Sequence, residues 1–171
     1  TGVQTCALPI YIYIMFNGKR IDLTEKQIEQ MRKYKKNNPF DRVKTGKTYH
    51  FITSNNDVMS IADTNHVYDE LKHEAINYFN DKAFAEQVAL HQLLYRKLLK
   101  FAYDNECADT AEWNGRNSHW AIRYDANRNK FDSFCQNDYK SRDVYFSSEE
   151  GAERAIHEVV EPFMKKHPSL C

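Results

Sequence analysis

An α+β fold is predicted for this chain, with antiparallel β-hairpins packed against two or three helices and a tandem βββα duplication as one form of it. Three observations predict it. Two β-forming segments each surround a short polar turn: "YHFITSNNDVMSI" about Asn55-Asn56-Asp57, and "HWAIRYDANRNKF" about 125–129. A long helical period follows the first, and a capped helix follows the second.

Each element has a local reason. "LTEKQIEQMRKYKK" carries a capping box, in which Thr24 accepts from the backbone N–H three residues on and Gln27 reaches back. A short helix over 25–36 follows, with Leu23, Ile28 and Met31 as a narrow apolar stripe and lysines at its negative end. Pro39 disfavours helix at Asn38 and stops it. Asn and Asp tolerate the left-handed backbone that tight turns need, so 47–62 reads as a hairpin. "HVYDELKHEAINYF" reads as irregular, ending in a strand over Ile76 to Phe79.

From Asp81 to Tyr103, Phe84, Val88, His91, Tyr95, Leu98 and Ala102 recur at spacings of four and three, the stripe of an amphipathic helix. Leu90, Leu94 and Phe101 widen that face, which suits a helix lying across a sheet. In the second hairpin Trp120, Ile122 and Tyr124 alternate before the turn, with Phe131 and Phe134 or Cys135 after it. "DVYF" makes a third short strand. A last helix starts with Ser147 as cap and Glu150 three residues on, and Pro162 is expected to kink or end it. "YFNDKAFAEQVA" (78–89) and "YFSSEEGAERAI" (145–156) share Tyr-Phe and then Ala-Glu at one offset, which suggests a first ββ(β)α unit over 47–104 and a second over 118–167.

The chain has 171 residues, 42% hydrophobic and 28% charged, enough apolar content for a compact core and too much for disorder. Lysine and arginine balance aspartate and glutamate, so no net charge draws the chain to nucleic acid or anionic lipid. No apolar run approaches the roughly 20 residues of a membrane helix, and "ALPIYIYIMF" lacks the basic start and cleavage site of a secretory signal. The four cysteines Cys6, Cys107, Cys135 and Cys171 show no CxxC spacing, which fits reduced thiols in a host cytoplasm.

Residues 1–10, "TGVQTCALPI", resemble the in-frame translation of a common short-read sequencing adapter. That resemblance implies a non-native segment at the end of an environmental or draft assembly. Met15 is then the expected start, and 15–171 is expected to form one domain.

"NPFDRVKTGKTYHFI", the "EWNG" ahead of a W-x-I-x-Y-D strand, and "VYFSSEEGAERAI" resemble small proteins of phages and prophages in gut-type bacteria. The resemblance spans roughly 38–166 and implies a mobile-element context, with no activity and no site residue attached. Glu112 stands where Asp is usual in that pattern.

No motif supplies catalytic, cofactor or metal-binding residues, so none of these is expected. "TGKT" (45–48) ends like a phosphate loop, but Asp41 occupies the first Gly position and a strand follows in place of a helix. The His-Glu at 73–74 lacks the second histidine of a zinc helix; His66 and His73 are seven apart, and His91 reads as a boundary histidine. Cys107 or Cys135 meeting His119 would make a nucleophile pair, but buried packing is the commoner fate of a free cysteine. Glu149, Glu150 and Glu153 are explained by a helix start.

Two binding readings remain. Arg32, Lys33, Lys35, Lys36, Arg42, Lys44 and Lys47 stand against Asp41 alone, interleaved with Tyr34, Phe40, Tyr49 and Phe51. Such a segment can neutralise phosphates while rings stack on bases, or contact a protein partner. The favoured reading is a non-enzymatic protein-binding module, because an aromatic content of 13% offers interface anchors. Nucleic-acid binding through 32–47 is the alternative, and no membrane partner is expected.

Overall fold

The computed structural model describes residues 13–16, 19–27 and 38–170. The chain falls into two compact units, Thr1–Asn38 and Pro39–Cys171, so it divides at Pro39 where the sequence suggested one domain over 15–171. In the first unit β1 (Tyr13–Phe16) pairs antiparallel with β2 (Lys19–Asp22). Residues 25–27 are helical, and the expected capping box is present: the Gln27 N–H donates to Thr24 Oγ1 at 3.3 Å, and the Thr24 N–H donates to Gln27 Oε1 at 2.9 Å. The rest of the expected 25–36 helix, and residues 1–10, lie outside the described residues.

The second unit is α+β. Its first hairpin is β3 (Thr48–Ile52) with β4 (Val58–Ala62), in a register that places Tyr49 opposite Ile61 and Phe51 opposite Met59. Asn56 takes the left-handed turn position at φ 71°, a conformation its short polar side chain tolerates. The segment expected to be irregular is a helix, α1 (Val67–Glu74). His66 caps it by accepting from the Tyr68 N–H, while the Asp69 carboxylate accepts from the His66 N–H at 3.0 Å. The expected strand at 76–79 reduces to a single bridge. Ile76 sits at φ 54°, which breaks an extended run, and only Phe79 exchanges backbone bonds with His50, both at 2.8 Å. Asn77 extends that edge with its side-chain amide, which pairs both backbone groups of Ile52.

Two buried carboxylates hold α1 on this hairpin. Asp69 accepts from the Tyr49 hydroxyl at 2.8 Å, the His66 and Thr64 N–H groups and the Thr64 hydroxyl. Asp63 accepts from Arg42 Nε at 2.9 Å, the Tyr78 hydroxyl at 2.8 Å and the Asn65 N–H at 2.7 Å. The Tyr49 and Tyr78 rings stack between them, centroids 4.0 Å apart. Buried carboxylates carry a large desolvation cost unless their lone pairs are filled, and here they are.

The long helix α2 (Lys82–Asp104) is capped by Asp81, whose carboxylate accepts from the Phe84 N–H at 3.1 Å. It matches its expected span. Its buried face is rotated, however: Ala85, Ala89, Phe101 and Ala102 point inward, while His91 and Tyr95 are exposed. Small alanines let the helix approach the β3–β4 hairpin closely, and the larger residues of the expected stripe flank that contact.

The second hairpin, β5 (His119–Asp125) with β6 (Lys130–Gln136), has His119 and Ala121 fully buried. The expected Trp120, Ile122 and Tyr124 alternation falls on the other face, where Trp120 and Ile122 are half-buried and Tyr124 is exposed. The "DVYF" strand again reduces to one residue, Phe146, bridged to Trp120 on one side and to Ala108 on the other. Ser148, one residue later than expected, caps α3 (Glu149–Ala155) by accepting from the Gly151 N–H. The helix then passes through a π segment, Ile156–Val160, into α4 (Glu161–Lys166). Pro162 therefore does not end it. The Glu161 N–H bonds to the Ile156 carbonyl five residues back, which opens a wide turn just where proline has no N–H to give.

The two hairpins share one arrangement. In each, a residue of the first strand (His50, Trp120) bridges a phenylalanine (Phe79, Phe146) that follows a tyrosine (Tyr78, Tyr145). The helix cap (Asp81, Ser148) comes three residues after that tyrosine, and a fully buried alanine (Ala85, Ala152) comes seven after it. The main core forms around the second of these: Phe101, Ala102, Cys107, Val144, Phe146, Ala152 and Ala155 pack together. Gly151 packs closely there: a Cβ would lie 3.0 Å from Cys107 Cβ.

Tyr49→Phe deletes the hydroxyl bond to Asp69 and is expected to lower unfolding free energy by about 2 kcal/mol, the typical worth of a hydrogen bond to a charged group, read in urea melts. An unchanged midpoint would show that the other Asp69 donors carry α1 alone.

Candidate functional site

The basic segment is met first. Arg42 forms ion pairs with Asp63 and Glu70, so its guanidinium braces the β3–β4 unit. Lys44 and Lys47 are exposed, and Arg32, Lys33, Lys35 and Lys36 lie outside the described residues. Of the rings expected to stack on bases, Tyr49 is fully buried, Phe40 packs on Phe79 and Phe84, and Phe51 is half-buried beneath the Lys72 ammonium.

A histidine centre lies under the second hairpin. His119 Nδ1 is 2.6 Å from Asp109 Oδ2, and since a carboxylate can only accept, Nδ1 carries the proton. The Trp113 ring lies flat on the imidazole, centroids 3.6 Å apart, and Tyr145 meets Trp113 edge-on at 4.9 Å. Trp113 is held by the "EWNG" turn: Asn114 Oδ1 accepts from the Arg116 and Asn117 N–H groups, and Gly115 takes φ +73°. An aspartate–histidine pair with a free second nitrogen is the usual part of a general base. Here His119 is sealed: Nε2 is buried and, among the described residues, is the one such side-chain polar atom without a hydrogen-bond partner. Its ring partners are aromatic. Cys135 is exposed and donates to Asn137 Oδ1, whereas Cys107 packs against Gly151 and burial pushes its thiol up. The pair ties the segment that carries Asp109 to the start of β5. Among the described residues no cluster of histidine, cysteine and carboxylates could hold a metal ion, and no helix is long and apolar enough to cross a membrane.

Two surface features remain. The first is the outer side of β4. The sheet is two-stranded, and β3 uses its other edge for Phe79, so β4 presents an edge with no strand partner among the described residues. Val58–Ala62 contains no charge, proline or glycine, the devices that ordinarily protect an edge. Met59 and Ile61 are 53% and 48% exposed there. Next along the chain, α1 turns Asp69 inward, which leaves Val67, Tyr68 and Leu71 outward, and Ile76 follows. Sequence reasoning missed this strip because α1 was not expected as a helix; an apolar spacing of 67, 68 and 71 would have marked one of its faces.

The second feature is a groove of about 620 Å³ between α2 and the C-terminal helix. Leu93, Phe101, Val159, Pro162 and Phe163 line it, with Lys97, Lys100 and Lys166 among its polar residues. No family model, curated protein or solved structure matches this chain.

His119→Ala leaves the buried Asp109 carboxylate without its hydrogen-bond partner and is expected to destabilise the fold by about 3 kcal/mol, the upper end for stranding a buried polar group. Urea melts of that variant, with Asp109→Asn/His119→Ala as the rescue, check it. In alkylation followed by peptide mapping of the native protein, Cys135 is expected to label and Cys107 to stay protected until denaturant is added.

Proposed function

We propose that this chain is a non-enzymatic binding protein of a phage or other mobile element, acting through protein–protein contacts, with host machinery as the partner. One observation carries this reading: the unprotected β4 edge with Met59 and Ile61 exposed, followed along the chain by a helix that leaves Val67, Tyr68 and Leu71 outward. Exposed apolar groups on such a scale mark interaction surfaces, and a bare edge strand can accept a further strand. The mobile-element setting comes from the resemblance of residues 38–166 to phage and prophage proteins. The alternative, nucleic-acid binding through 32–47, retains Lys44 and Lys47 as exposed cations. It loses Arg42 to Asp63 and Glu70, and Tyr49 to the interior.

Tagged full-length chain passed over a gut-bacterial lysate, with nuclease and across a salt series, separates the two. A protein partner that survives nuclease and high salt, and falls at least about tenfold with Ile61→Lys and Leu71→Glu, is the expected result. Recovery of only nuclease-sensitive material, lost with Lys33→Glu, Lys35→Glu and Lys36→Glu, would establish the alternative.

A further inference from the structure

We infer that the groove between α2 and the C-terminal helix is a docking site for an acidic amphipathic helix of about three turns. Two helical stripes form it. On α2, Leu93, Lys97, Lys100, Phe101 and Asp104 recur at helical spacing, a run of about 16 Å along the axis. Opposite them stand Glu158, Val159, Pro162, Phe163 and Lys166. The helices run antiparallel, since Gly151 touches Cys107 just beyond the end of α2 while Ser169 shares a cavity with Ala89 and Leu90. A trough of this length between two helices accepts one face of a third, with apolar anchors about a turn apart.

The floor and rim set the partner's chemistry. The floor is apolar: Phe101 and Phe163 are largely buried, and Leu93 and Val159 are half-buried. Three lysines face two acids on the rim, and both acids are occupied. Asp104 bonds Lys100, and Glu158 accepts from Arg154 Nε at 3.2 Å. Lys97 and Lys166 are exposed and, among the described residues, have no ion-pair partner. An apolar face flanked by glutamates or aspartates would fill the floor and meet both cations; a basic helix would meet them as like charges. The π segment Ile156–Val160 contributes Glu158 and Val159 to one wall, and such segments recur at functional sites. The groove is separate from the β4–α1 strip, so its test can fail without touching the reading above.

The test is fluorescence anisotropy of the full chain with a labelled 14-residue amphipathic peptide, leucine and phenylalanine on one face and glutamate on the other. Its lysine-faced counterpart and dodecanoate serve as competing occupants. The glutamate peptide is expected to bind saturably, with affinity falling as salt rises and falling about tenfold with Lys97→Glu/Lys166→Glu. Both lysines are exposed, and circular dichroism verifies that the variant folds. No binding, equal binding of the lysine-faced peptide, or indifference to the double variant would overturn the proposal. Binding of dodecanoate with neither peptide would overturn it in favour of a lipid.

Discussion

Burying Asp63 and Asp69 beside two tyrosines is the constraint on which the first half of the larger unit depends. An ionised carboxylate inside a protein is tolerated only when donors surround it, and the donors come from four places in the chain: Arg42, Tyr49, the 64–66 turn and Tyr78. Satisfying Asp69 fixes which side of α1 faces the hairpin. The outward direction of Val67, Tyr68 and Leu71 follows from that choice. Arg42 is likewise committed to Asp63 and Glu70, so the same network that exposes an apolar strip removes one cation from the basic segment.

The second half meets a similar problem with different side chains. Tyr49 and His119 each sit one residue before the strand position that bridges a phenylalanine, each is fully buried, and each bonds an aspartate from outside its own hairpin. A tyrosine stacks beneath the first, and Trp113 stacks on the second. In both halves the polar tip of a buried ring anchors a connecting segment. The His119–Asp109 pair thus has the same build as Tyr49–Asp69.

Much of the fold was legible because its signals are local. Turn residues at Asn55–Asp57 and 125–129 marked both hairpins, and a helical period marked α2 within one residue at each end. What failed was decided by distant contacts. α1 was obscured because Val67, Tyr68 and Ile76 favour strands, and because its cap is a histidine reinforced by Asp69, outside the usual capping residues. The face of α2 was misjudged because close approach selects alanine over larger apolar residues. Ser147 and Ser148 are equally good caps on paper, and packing of Gly151 against Cys107 fits Ser148 as the helix start. The surfaces were the least legible. Arg42 reaches an aspartate 21 residues away, and the groove joins residues some 65 positions apart, neither of which any spacing along the chain encodes.

Direct titration of the Asp63 carboxyl by carbon-detected NMR tests the central claim. The Arg42 guanidinium, with the Asn65 N–H and the Tyr78 hydroxyl, outweighs burial and holds Asp63 down from 3.8 to about 2. The Tyr78 phenol is pushed up to about 12 by burial and by that carboxylate. A depressed pKa means the stabilisation is complete above the unfolded value near 3.8 and is lost as pH falls through about 2. The account expects the Asp63 carbon shift to hold constant down to about pH 3 and to move only below it. A midpoint at the ordinary carboxylate value would mean the network does not hold Asp63 ionised, and the bracing of Arg42 between Asp63 and Glu70 would need another cause.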